Sequence, residues 1–89
     1  MQTDYGFAFR VFRAARDWSQ GDVAKRLKVG RSMLSLIESG KRQPSAATID
    51  GAARSFGVPP SLFVALASRK VDDVTAPLMF ALVRRKNGR

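Results

Sequence analysis

The chain has 89 residues, 45% of them hydrophobic, which suffices for one compact domain with a modest core, and no second domain is expected. It contains neither cysteine nor histidine, so there is no disulfide framework, no thiolate or imidazole metal site, and neither the commonest general base nor a thiol nucleophile; no cofactor, no metal and no enzymatic activity are expected. Sixteen Lys and Arg against seven Asp and Glu give a net charge of +9, which points to a polyanionic partner, nucleic acid first, with plain solubility as the competing reading until the charges are placed.

From Asp4 to Arg16, Tyr5, Phe9 and Phe12 recur with Ala8 and Ala15 at the spacing of an amphipathic helix, and Arg10, Arg13 and Arg16 run beside that stripe. Ser19 reads as an N-cap, with Asp22 in the capping-box place, for a second helix over Gln20 to Leu27 that turns Val23, Ala24 and Leu27 inward. Lys28, Val29 and Gly30 make a short break. A third helix, Arg31 to Ser39, carries Leu34 and Ile37 inward, and Gly40 follows where a left-handed cap is usual. After a basic loop at residues 41–44, Ser45 caps a fourth helix to about Phe56, ended by Gly57; Pro59 and Pro60 then lead into a fifth, Ser61 to about Ala67.

The remaining residues, 68–89, form a separate tail. Its segment 77–83, PLMFALV, is apolar without a polar face and reads as a buried helix or as a strand; the predominance of Ala, Leu and Met favours helix. The only adjacent acidic pair, Asp72 and Asp73, stands at the start of this tail, where helix capping explains it better than acid/base chemistry. No apolar run reaches the roughly 18 residues that a bilayer span needs, and the opening MQTDYGFAFR lacks the basic-then-apolar order of a signal peptide, so a cytoplasmic location without membrane contact is expected.

Residues 19–38 thus have the layout of two short helices joined by a tight turn, an arrangement in which the second helix projects and can enter a major groove while the first crosses the backbone. The series Arg13, Ser19, Gln20, Val23, Ala24, Val29, Ser32, Leu34, Ser35, Ile37, Glu38, Gly40, Lys41, Arg42, Pro44, Ala53, Phe56, Gly57 and Val58 resembles the Cro and phage-repressor (XRE-type) helix-turn-helix family over residues 5–67. The resemblance implies an all-α fold, a five-helix lambda-repressor-like domain over residues 1–67 followed by the tail, and a DNA-binding function. Two positions depart from the family pattern. Lys28 stands where Gly is usual in the turn, and Gly30 where Ser or Thr precedes the third helix, so the turn requires a left-handed lysine and a weaker cap.

On that resemblance Arg31, Ser32, Ser35 and Leu36 become the base-reading candidates: Arg31 for guanine O6 and N7, the serines as adaptable hydrogen-bonders, Leu36 for a thymine methyl group. Arg31 has a phosphate contact as its alternative, and Leu36 an interface role. Ser19, Gln20, Lys28, Ser39, Lys41 and Arg42 are the candidates for the DNA backbone, with pure capping as the alternative for Ser19. Arg13 and Glu38 are expected to form a structural ion pair that orients the third helix. Between residues 25 and 42 six basic side chains (Lys25, Arg26, Lys28, Arg31, Lys41 and Arg42) face one acidic residue, which places the positive charge where nucleic acid would need it.

One such module discriminates too few base pairs to select a site in a genome, so a homodimer on a palindromic operator is expected, with half-sites roughly 34 Å apart. The tail residues Val74, Leu78, Phe80 and Leu82 are the candidates for pairing or for a protein partner, against the alternative that they complete the monomer core. The functional expectation is a dimeric transcriptional regulator, a repressor of a phage, mobile-element or own operon. Its rivals are an autoregulating antitoxin whose tail binds a partner protein, and an interaction module that does not read bases.

Overall fold

A computed structural model of the chain describes residues 3–68, and among them five α-helices succeed one another without a strand. Helix α1 (Tyr5–Arg16) starts at Asp4, whose carboxylate accepts from the Phe7 N–H at 2.9 Å, and stops at Asp17 in the left-handed conformation. Helix α2 (Gln20–Leu27) opens on a capping box: Ser19 Oγ accepts from the Asp22 N–H at 3.0 Å while the Asp22 carboxylate accepts from the Ser19 N–H at 2.9 Å. It ends at Lys28 with φ of 58°, so the turn does take a left-handed lysine.

Helix α3 (Arg31–Glu38) has no side-chain cap, since Gly30 has none to offer, and it closes one residue earlier than expected, with Ser39 as its C-cap and Gly40 left-handed beyond it. Helix α4 (Ala46–Phe56) is capped by Ser45 and ended by Gly57; α5 (Pro60–Ala67) begins at its proline, one residue before the expected start, because proline's fixed φ and missing N–H suit the first helical position.

The α1 stripe delivers Phe9 and Phe12 into a buried aromatic cluster with Phe56 and Phe63, ring centroids 5.2–6.3 Å apart, so that α1, α4 and α5 form the body. Val23 and Ala24 of α2 and Leu34 and Ile37 of α3 are buried against it, and it is this attachment that sets the angle at which α3 leaves the body. The tail residues Val74, Leu78, Phe80 and Leu82, and the choice between helix and strand for residues 77–83, lie outside the described residues.

Candidate nucleic-acid interface

Helix α3 buries Leu34, Ile37 and Glu38 on one side, and the 3.6-residue period then leaves Arg31, Ser32, Ser35 and Leu36 exposed. These four line an open groove of about 450 Å³, with Gln20 from the start of α2 as its fifth wall. No acidic side chain lines it. Leu36, 40% exposed, and Val64 on α5 are the large hydrophobic residues left exposed among the described residues.

Glu38 fixes the far end of α3. Its carboxylate, 4% exposed, accepts from Arg13 Nε at 2.8 Å and Arg13 Nη2 at 3.0 Å, a fork-to-fork pair, and from Gln20 Nε2 at 3.1 Å. Arg13 also donates to the Trp18 carbonyl at 3.2 Å, so one guanidinium ties α1, the α1–α2 turn and α3 together. Gln20 spends one amide proton on Glu38, which leaves the other for a ligand in the groove. Ser19 Oγ accepts in the capping box and its hydroxyl also favours the Asp22 carboxylate, so a phosphate contact there would compete with Asp22 for the hydroxyl proton. Ser39 is exposed, but its hydroxyl donates to the Leu36 carbonyl at 3.0 Å, and a phosphate contact would require that proton to be released.

The basic side chains divide into groups. Arg31, Lys28, Lys41 and Arg42 are all exposed, and the backbone N–H groups of Lys41 and Arg42 both donate to the Leu36 carbonyl, which holds the basic loop against the end of α3. Arg26 lies elsewhere: its guanidinium covers the Trp18 ring at 3.9 Å from the centroid and lines a separate groove between α2 and α4 with Arg54.

Three features of this framework escape a reading of the sequence alone. Gly6 packs so closely against the end of α3 that a Cβ there would lie 2.5 Å from the Glu38 carbonyl oxygen and 2.7 Å from that of Ile37. Arg10 donates to the same Glu38 carbonyl and, with Arg42, lines a cleft of about 440 Å³ beside the α3–α4 loop. Arg16, 8% exposed, donates to the Phe56 carbonyl at the end of α4, and burial pulls its pKa below the ordinary arginine value. The three-residue spacing of Arg10, Arg13 and Arg16 was the visible signal for these contacts; their acceptors are backbone atoms that no residue type announces.

Residues 9–63 match the helix-turn-helix family. Over 58 residues the chain is 36% identical to an uncharacterized HTH-type transcriptional regulator of Mycobacterium bovis and to its counterparts in Mycobacterium tuberculosis, a match that covers 65% of this chain. It spans only 23% of the length of these curated relatives. No solved structure matches it. No helix among the described residues is long and apolar enough to cross a membrane, and no group of acidic residues there is arranged to hold a metal ion.

Proposed function

The chain belongs to the helix-turn-helix family, in its Cro and phage-repressor branch, and we propose that it reads double-stranded DNA as a homodimer and represses transcription of a phage, mobile-element or own operon. The observation that carries this reading is the α3 groove: Arg31, Ser32, Ser35 and Leu36 stand exposed on a helix whose opposite side is anchored by Leu34, Ile37 and Glu38. Arg31 takes guanine O6 and N7, the two serines hydrogen-bond to base edges, and Leu36 meets a methyl group. Ser19, Gln20, Lys28, Ser39, Lys41 and Arg42 hold the two phosphate backbones, Arg13 and Glu38 keep α3 in place, and Val74, Leu78, Phe80 and Leu82 of the tail supply the dimer contact.

Selection of bound duplexes from a random pool, followed by titration of the winner at several salt concentrations, tests it. A palindrome with half-sites about one helical turn apart, and an Arg31→Ala variant that loses preference at one position in each half-site, is the expected result. Salt-sensitive binding to all duplexes with no enriched sequence would replace it by a module whose specificity lies with a protein partner of the tail.

A further inference from the structure

The α3 groove is unusual in its chemistry as much as its place. Of its five side chains one is a cation, three are neutral hydrogen-bonders and one, Leu36, is a large apolar group 40% exposed to water. Leu36 contributes to the fold through its backbone, whose carbonyl accepts from Lys41 N at 2.9 Å, Arg42 N at 3.2 Å and Ser39 Oγ at 3.0 Å; its side chain is not needed in the core. In the major groove the one apolar group that distinguishes bases is the C5-methyl of a pyrimidine, whereas the N4 amino group of cytosine is best met by an acidic acceptor, which this groove lacks.

Resting on the base-reading role of α3 argued above, we propose that Leu36 makes this protein a sensor of pyrimidine C5-methylation: it selects a methyl-bearing pyrimidine, thymine or 5-methylcytosine alike, at a fixed offset from the guanine held by Arg31. The offset follows from helix geometry. Arg31 and Leu36 stand on one helix and line one groove, so the spacing between the two bases they meet is fixed. Methylation of a cytosine at that position would therefore raise affinity roughly fourfold per half-site, and operator occupancy would respond to the methylation state of the DNA.

The test uses the full chain and the duplex selected from the random pool. Each thymine of a half-site is replaced in turn by uracil, which removes only the methyl group, and the sensitive position is then rebuilt with cytosine and with 5-methylcytosine opposite guanine. Burying one methyl group corresponds to a roughly fourfold change in affinity. The expected result is one sensitive thymine per half-site, at the same offset from the guanine in both half-sites, a loss near fourfold with uracil, and a similar ratio between 5-methylcytosine and cytosine. In Leu36→Ala both ratios fall to one and affinity for the thymine-bearing operator drops, while the guanine is still preferred at the position read by Arg31. Operator binding that ignores uracil at every position overturns the proposal, as does a uracil effect that persists in Leu36→Ala. A Leu36→Ala variant that weakens binding to all duplexes equally, with the ratios intact, assigns Leu36 to a protein interface and also overturns it. Failure to select any sequence would instead remove the base-reading role itself.

Discussion

Gly6 sits in the first turn of α1, and the missing side chain is what lets α1 touch the end of α3. A Cβ would meet backbone oxygens of Glu38 and Ile37, which cannot swing aside as a side chain does. Gly6→Ala should therefore lower stability by about 1–2 kcal/mol in urea unfolding, overpacking outweighing the helix-propensity gain; a stabilised variant would mean that the end of α3 shifts freely. The Arg13–Glu38 pair is asymmetric in burial, 25% against 4% exposed, and the asymmetry predicts which half is dearer to lose. Arg13→Met strands a buried carboxylate with Gln20 as its remaining side-chain donor and should cost about 3 kcal/mol. Glu38→Gln leaves an arginine that still reaches water, and should cost less than half of that. Equal losses in chemical denaturation would show that the pair acts as a unit rather than through the buried member.

Within elements, the start of α2 is bound to pH through its capping box. The Asp22 carboxyl lies below its usual range, first because it accepts from the Ser19 backbone N–H and then through the Ser19 hydroxyl. A depressed folded-state value means that the carboxylate favours the native state at and above the ordinary carboxylate range, and that this contribution disappears as pH falls through the folded-state value. The stability gap between the protein and Asp22→Asn should be constant at neutral pH and close only under strongly acid conditions; a gap that closed near pH 7 would exclude this origin. At the other end of α2, Lys28 holds a left-handed conformation that glycine adopts freely, so Lys28→Gly should stabilise the protein by about 1 kcal/mol. The same change should reduce the salt dependence of DNA binding by about one charge if Lys28 meets a phosphate. Three helices were legible in the sequence from residues whose chemistry is local, Ser19 with Asp22 for α2, Ser45 and Gly57 for α4 and the prolines before α5, and α1 and α3 from the spacing of their apolar residues. The exposed set on α3 was legible for a similar reason, since burying Leu34 and Ile37 fixes what faces outward. The contacts of Gly6, Arg10 and Arg16 were not, because they join residues 28 to 40 apart to carbonyl oxygens, nor was the cover that Arg26 gives the Trp18 ring eight positions away.

For the whole molecule the question is how the proposed DNA reading attains a useful specificity. Eight residues of α3 make a rod roughly 12 Å long, which touches about four base pairs at 3.4 Å each, and at about 1–3 kcal/mol per pair one copy cannot separate its site from a genome of competitors. Two copies double the number of pairs read, but the described body has little with which to pair. Leu36 and Val64 are its large exposed hydrophobic side chains, and a stable homodimer interface needs far more apolar area than that. We propose that the pairing energy comes from the tail residues Val74, Leu78, Phe80 and Leu82. A chain ended after Ser68 should accordingly keep a cooperative unfolding transition and salt-dependent attachment to DNA, yet sediment as a monomer and lose its preference for a palindrome over a single half-site. The full chain should sediment as a dimer at micromolar concentration. If the shortened chain still pairs, the contact belongs to the body near Val64; if the full chain is monomeric both free and on DNA, the tail serves a different protein and the second copy must be abandoned.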